Sequence, residues 1–496
     1  MTDVSEKPVR LPARSRQGML LSLDGVQVAT LLAAVVILWV AVSSPLGPLG
    51  LLVAAPVAVP VALAAVFRMH GFPVPTMIGL WLMKKIRTAM GGTTENFRPE
   101  ATRPVGTLRL PGSAANLQVW DTEGMATVYQ PGTRATVSIS CELEAPGFLM
   151  KDIGERYQLA QQLSAVLASM TQRQGIQRIV LQERTAPTTI RAAREQFSTV
   201  ATRRRTRADV AAENYLKVLD NAEQFAVEHR NFITVTLDLV ALASQVKALG
   251  GGKKAAQAVA AVEARNLANA LNHAEIKVRG WLTPRDIAAL ARTAFDPDFL
   301  STVQNRDDEH RGVDLTAMGP MHIEEPDKKH GLVYTDSGVH TTMWIHEWPR
   351  MDSRVGFIEP VVFSRDPMTS EAVTHIFSIV LTPVPVSKAL KNVARDKRLW
   401  KGNSKLRAKR GEDNSQADEA DFRTLIEREE EILEGHGQFS YGGYLTITAR
   451  DEDTLERGIA GARNAMSQVG MEGQILYCQQ AEALMVNALP VGLGMK

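Results

Sequence analysis

The most constraining feature of the sequence is a stretch over residues 25–67 that contains no charged residue. It divides into two apolar runs, 26–42 and 46–67, separated at 43–45 by Ser-Ser-Pro, a turn signal. A helix needs roughly 20 apolar residues to cross a hydrocarbon core of about 30 Å, so the stretch suits two crossings and is too long for one. Helices satisfy their backbone groups internally, as a membrane requires. The sequence therefore predicts a transmembrane helical hairpin.

Basic residues flank both outer ends of this predicted hairpin, and its short loop at 43–50 has none. The flanking residues are Lys7, Arg10, Arg14 and Arg16 before it, and Arg68, Lys84, Lys85 and Arg87 after it. Positively charged segments stay in the cytoplasm, so we expect a multi-pass inner (plasma) membrane protein with both termini cytoplasmic and residues 1–24 as a basic tail. The alternative, a cleaved signal peptide, is disfavoured because a second apolar segment follows at once.

Residues 68–90 are predicted to form an interfacial amphipathic segment. A helix would place Met77, Ile78, Trp81, Leu82 and Ile86 on one face, with the cations beside them reaching towards lipid head groups. The membrane-interface candidates are Trp39, Trp81, Lys84, Lys85 and Arg87. The alternative is an amphipathic helix that packs on the soluble body, and the sequence leaves both open.

The chain as a whole has the composition of an ordinary globular protein. Of its 496 residues 45% are hydrophobic and 22% charged, the net charge is +2, and the mean hydropathy is −0.09. A large soluble body behind a small anchor is therefore expected, and the charge balance makes no case for nucleic acid. The two cysteines, Cys141 and Cys478, lie in no motif, which fits a reduced compartment and excludes a disulfide framework or a cysteine-ligated zinc.

Strand and helix signals alternate along this body and predict an α+β fold, a mixed α/β soluble body behind the two-helix transmembrane hairpin. The first strands, at 105–110, 117–120, 125–130 and 135–141, are expected to form an antiparallel meander. The last strand, 474–478, is expected beside 443–449. Residues 307–331 are charged and irregular, and we expect them to be a boundary loop between two domains, 91–300 and 301–496.

Two charged segments are candidates for partner contacts. Ten basic residues in 388–410 precede ten acidic residues in 412–434, which predicts a helical hairpin over 387–434 whose arms attract one another. A docking arm remains an alternative, and 203–207 is a second basic run. The candidate partner or nucleic-acid contacts are Arg203, Arg204, Arg205, Lys397, Arg398, Arg407, Lys409 and Arg410.

Catalytic patterns are not found in this sequence. Residues 250–254, Gly-Gly-Gly-Lys-Lys, follow a predicted helix and lack the hydroxyl of a phosphate-binding loop. His340 and His346 share a strand face but are about 20 Å apart, too far to ligate one ion. We therefore predict no catalytic residue, cofactor or metal ion, and a protein that is not an enzyme.

Short motifs resemble two components of conjugative type IV secretion systems. The hairpin, Pro73-Val74-Pro75 and the segment 81–85 resemble PrgI-type membrane subunits. The body resembles the amino-terminal, non-ATPase domain of conjugation ATPases at 280–284, at the strand ends Trp348-Pro349 and Thr382-Pro383, and at 487–490. In those ATPases a similar Leu-Pro segment leads into the motor, whereas this chain stops at Lys496.

The resemblance implies a non-enzymatic, membrane-anchored scaffold of a conjugative DNA-transfer channel. Its expected partners are a separate type IV secretion ATPase, other channel subunits and further copies of itself. The alternative is a membrane-tethered nucleic-acid-binding protein that uses the basic runs 203–207 and 388–410, and its binding to DNA would depend steeply on salt.

Overall fold

The computed structural model describes residues 25–44, 48–69, 71–91, 93–96, 110, 112–144, 150–204, 210–223, 226–306, 309–349, 354–409, 416–433 and 438–494. The basic tail at 1–24 and all but the last residue of the strand predicted at 105–110 lie outside these ranges.

Two helices at the start of the described chain, α1 (Gly25–Val42) and α2 (Pro48–Val66), confirm the predicted apolar pair. Each is long and apolar enough to cross a membrane. The Gln27 side chain near the start of α1 donates a 2.8 Å hydrogen bond to the carbonyl of Ala65 near the end of α2, so the helices run antiparallel. The two-residue strands β1 (Arg68–Met69) and β2 (Phe72–Pro73) then turn the chain into helix α3 (Val74–Ala89).

The body alternates strands and helices, as expected for the predicted α+β class. Its strands are β3 (Thr94–Asn96), β4 (Gln118–Thr122), β5 (Met125–Gln130), β6 (Thr136–Leu143), β7 (Ile176–Pro187), β8 (Val227–Asp238), β9 (Val278–Trp281), β10 (His322–Glu324), β11 (Val333–Tyr334), β12 (Val339–Glu347), β13 (His375–Val384), β14 (Gln438–Ala449) and β15 (Glu472–Ile475). Its helices are α4 (Ile153–Thr171), α5 (Arg191–Arg204), α6 (Val210–Glu223), α7 (Ala243–Ala248), α8 (Gly252–His273), α9 (Pro284–Phe295), α10 (Leu300–Gln304), α11 (Glu359–Val362), α12 (Val386–Lys409), α13 (Gln416–Leu433), α14 (Glu452–Gln468) and α15 (Gln480–Ala488).

Among the described residues these strands form one 13-stranded sheet in the order β3-β10-β11-β12-β14-β13-β7-β8-β6-β5-β4, with β15 paired to β12 and β9 to β6. The predicted meander is confirmed for β4, β5 and β6. The expected place of the last strand is wrong, since β15 pairs with β12 and not with β14. Helix α14 carries the chain past β14 before β15 begins, so the strand returns on the far side of β12.

Two parts of this sheet share one topology. Strands β6 to β9 are ordered β9-β6-β8-β7, and strands β12 to β15 are ordered β15-β12-β14-β13, with every neighbouring pair antiparallel. Helices follow the first and third strands of each set, which is the β-α-β-β-α-β arrangement of ferredoxin-like folds. In both units a helical hairpin, α5–α6 or α12–α13, is inserted between the second and third strands.

The two units meet through their second strands. β7 and β13 pair antiparallel from Thr185 opposite His375 to Ile179 opposite Leu381. Because α5 follows β7 and α12 follows β13, the two hairpins leave the sheet at opposite ends. The predicted domains 91–300 and 301–496 thus contribute strands to one sheet, and the boundary between them stays a prediction.

The end of the described chain covers the junction of the two units. Helix α15 is buried except at Glu482, and its Asn487 side chain donates to the Ile376 carbonyl at 3.0 Å and the Thr446 hydroxyl at 2.8 Å. The Gln182 side chain, from β7, donates to the Asn487 carbonyl. These hydrogen bonds join α15 to strands of both units, so this segment holds the units together.

Candidate membrane–body junction

Helix α3 joins the apolar helices to the body, and its cations turn towards the body. The Lys84 ammonium lies 3.5 Å from the Glu325 carboxylate, and the side chains are 1% and 0% exposed. It also donates to the Pro326 carbonyl at 2.7 Å and lies 3.2 Å from His330 Nδ1. An ammonium enclosed in this way needs its partners, because an unpaired buried charge costs several kcal/mol.

The sequence explains why α3 presents Lys84 to the body. Pro75 occupies the first turn, where its missing amide proton is not needed. Met77 and Lys84, seven residues apart and therefore on one helix face, are the buried residues of α3. Glu325 also accepts a 3.2 Å hydrogen bond from the backbone amide of Ala481, in the first turn of α15, where a carboxylate is favourable.

Two further cations extend the contact. The Arg87 guanidinium forms a 3.0 Å ion pair with Glu482 and donates to the Cys478 carbonyl. Lys85 pairs with Asp327 at 3.2 Å, but both side chains are largely exposed, so this pair contributes little to stability. Lys84, Lys85 and Arg87 therefore all have acidic partners on the body, whereas the sequence left open whether α3 faces lipid head groups or packs on the body.

The uncharged groups at this junction keep it electrically balanced. Burial, and then the charge of Lys84, lower the pKa of His330, so its imidazole is neutral near pH 7. Burial raises the pKa of the Cys478 thiol, which therefore stays protonated. Lys84 and Glu325 thus neutralise one another among uncharged neighbours, and the pair serves to attach α3 to the body.

Most large apolar side chains of α3 face outward, but Met77, which the sequence placed on the same face, is buried against the body side with Lys84. Trp81 is 45% exposed and Leu82 54%, and Ile78, Met83 and Ile86 are exposed beside them. Clusters of exposed large apolar side chains mark interaction surfaces. Trp39 is 69% exposed and lies in the last turn of α1, at the opposite end of the hairpin from the α3 side. The two tryptophans thus lie at opposite ends of the apolar helices, as in aromatic belts at both membrane surfaces.

The structure separates the basic candidates of the two helical hairpins. Arg203 and Arg204 end α5 at one end of the sheet, and Arg205 lies outside the described residues. In α12, Lys397 pairs with Glu429 and Arg407 with Asp418, while Arg398 and Lys409 are exposed and Arg410 lies outside the described residues. The predicted attraction between the arms is present, and the described parts of the two basic runs belong to hairpins that leave the sheet at opposite ends.

Sequence reasoning missed the acidic half of the junction. Glu325 and Asp327 lie in the segment 307–331 that we expected to be a boundary loop, about 240 residues from their partners on α3. A single glutamate in an irregular charged segment has no spacing that signals a distant lysine. Its position just after β10, which pairs with β3, is what brings it to α3.

Comparison with known proteins links part of the chain to secretion. Residues 225–319 match a family model described as "Putative type VII ESX secretion system translocon, EccE". The matched residues extend from the start of β8 through α9 to just before β10, which is less than half of the chain. No curated protein matches the chain. The sequence resemblance pointed to conjugative type IV systems, and this match instead supports a relationship to a secretion translocon of type VII.

Proposed function

We propose that this chain is a non-enzymatic, membrane-anchored scaffold subunit of a secretion translocon. The observation that carries the proposal is the division of α3 into two faces. Its cations bind acids of the body through Lys84 and Arg87, while Trp81 and Leu82 remain exposed beside the apolar helices. A helix with one face bound to the body and an exposed apolar face on the other side can lie on a membrane surface and attach the body to it.

The family match favours a type VII translocon over a conjugative type IV channel as the setting. The basic flanks of the hairpin favour a multi-pass protein with the body in the cytoplasm. A scaffold at that position would dock a separate ATPase and other channel subunits. The nucleic-acid alternative has less support, because α5 and α12 leave the sheet at opposite ends and Phe422 covers one face of the Trp400 ring.

The test is purification of the tagged full chain from its native membranes in mild detergent. We expect it to stay in the membrane after alkaline carbonate washing, to be degraded by protease only in inverted vesicles, and to co-purify with a secretion ATPase. The purified chain alone should hydrolyse no ATP. Release by carbonate, or ATP turnover by the isolated chain, would refute the proposal.

A matched variant links the test to the junction. Lys84→Met removes the buried cation, and Lys85→Met removes a neighbouring exposed one. If α3 positions the body for its partners, Lys84→Met should reduce co-purification of the ATPase while Lys85→Met leaves it unchanged. Equal recovery from both variants would show that the junction does not position the body.

A further inference from the structure

Helix α12 carries a row of exposed cations on the side away from α13. We call this row the outer stripe; it consists of Lys388, Lys391, Arg395, Arg398, Lys405 and Lys409. Their spacing alternates between three and four residues except where Gly402 replaces a side chain, so they share one helix face. The stripe extends about 32 Å along the helix.

The contacts between α12 and α13 are made by the inner face of α12 and do not involve the cations of the outer stripe. Lys397 pairs with Glu429, Arg407 pairs with Asp418, and Trp400 stacks on Phe422 with ring centroids 4.2 Å apart. The outer stripe is therefore additional to what holds α12 against α13. In the outer stripe, Arg395 pairs with its sequence neighbour Asp396 at 3.3 Å, an exposed contact that neutralises little of the row.

The hairpin leaves the sheet at the end nearest the base of the membrane helices. β13 ends at Val384, and β12, which runs in the same direction, ends at Glu347 opposite Glu472 of β15. Gly71, in the turn between α2 and α3, lies so close to Gln474 of β15 that a side chain at Gly71 would collide with it. The outer stripe and the base of the apolar helices therefore lie at the same end of the sheet.

We propose that the outer stripe of α12 binds the anionic head groups of the membrane in which the apolar helices are anchored. This inference rests on the proposed membrane anchoring. The cytoplasmic leaflet carries a negative surface potential that attracts clusters of Lys and Arg within about a Debye length. Anchoring holds the stripe near that surface, so each weak attraction acts at a high effective concentration.

Head groups fit the chemistry of the stripe better than single-stranded nucleic acid does. Binding of single strands combines cations with aromatic rings on which bases stack. The Trp400 indole N–H donates to the Asp418 carbonyl at 2.9 Å, and one face of its ring is covered by Phe422. The exposed side of α12 therefore carries mainly cations and Leu399. Binding the phosphate groups of a flat lipid surface requires a row of cations but no aromatic rings.

The experiment uses the full chain with a fluorophore on Gly402→Cys, reconstituted into nanodiscs. Gly402 lies within the stripe with open space around it, and the native Cys141 and Cys478 are buried. The discs contain either phosphatidylcholine alone or an equal mixture with phosphatidylglycerol, plus a head-group quencher. We expect stronger quenching in the anionic discs and loss of that difference at high salt.

Two matched charge variants make the result specific. The first changes Lys391, Arg398, Lys405 and Lys409 to glutamine, and should abolish the difference between the discs. The second changes four exposed lysines elsewhere, Lys217, Lys247, Lys254 and Lys277, and should retain it. Equal quenching in both discs, or protection of the label by added duplex DNA but not by anionic lipid, would overturn the proposal. A chain that fails to enter either disc would instead refute the membrane anchoring.

Discussion

Lys84 and Glu325 form an ion pair across 3.5 Å in which neither side chain reaches solvent. Lys84 belongs to α3, the helix that follows the two apolar helices, and Glu325 belongs to the body, so the pair joins the two parts. Lys84→Met leaves the Glu325 carboxylate buried without its cation. Removing one partner of a buried ion pair lowers the free energy of unfolding by about 3–5 kcal/mol. We expect faster amide hydrogen exchange over residues 74–89, measured by mass spectrometry on the full chain in detergent.

A double variant separates the pair from simple loss of packing. In Lys84→Met/Glu325→Gln both charges are gone and the amide still accepts from Ala481, so exchange should slow again towards the wild-type rate. Lys85→Met, in an exposed pair, should change exchange very little. If the single and double variants exchange equally fast, the charges are not what holds α3.

The buried His340 makes stability depend on pH. Burial lowers its pKa from 6.5 to about 3, and its ring nitrogens lie within hydrogen-bonding distance of the Thr335 and Thr448 hydroxyls. The folded protein therefore keeps His340 neutral where the unfolded chain would protonate it. The contribution of neutral, buried His340 to the free energy of unfolding is fully present above pH 6.5. It is lost as the pH drops towards 3, and the total loss is roughly 4–5 kcal/mol for this residue.

The measurement is urea unfolding of the wild type and His340→Gln in detergent at a series of pH values. Glutamine can bond to both threonines but does not titrate. The wild type should be the more stable above pH 7, and its advantage should shrink as the pH falls through 6 and 5. A difference that stays constant with pH would show that His340 does not titrate on unfolding.

The Asn487 side-chain amide connects α15 to β13 and β14, and we expect its loss to loosen α15 from the second ferredoxin-like unit. Asn487→Ala removes hydrogen bonds to Ile376 and Thr446, at a cost of about 1–3 kcal/mol in the free energy of unfolding. Urea unfolding measures this cost. Asn272→Ala, at an exposed position on α8, should change stability by less than about 0.5 kcal/mol. Similar costs for both would mean that the Asn487 bonds are not stabilising.

Local patterns in the sequence predicted the local elements well. The apolar runs predicted α1 and α2, alternation predicted β5 at Met125–Gln130, and the charge blocks predicted α12 and α13. Each of these depends on residues close together in the chain. The capping box at the start of α9 is equally local, since Thr283 and Asp286 are three residues apart.

Long-range pairing could not be predicted in this way. The repeated topology of β6–β9 and β12–β15 depends on which strands pair across separations from 40 residues, as for Pro187 and Val227, to 140 residues, as for Cys141 and Trp281. The place of β15 beside β12 and the partner of Lys84 depend on the same pairings. Helical periodicity showed that α3 has two faces, but it did not show which face meets the body.

The outward position of Leu82 leads to a last prediction, on the lipid side of α3. Leu82 is 54% exposed beside Trp81, and in a membrane-anchored chain it should be covered by lipid. In inverted vesicles, Leu82→Cys should react with a membrane-impermeant thiol reagent much more slowly than Thr424→Cys, at an exposed position on α13. Detergent should remove this difference, because it removes the lipid. The native Cys141 and Cys478 are buried and give a low background. Equal reactivity of the two cysteines in intact vesicles would place the apolar face of α3 in water and contradict its role at the membrane.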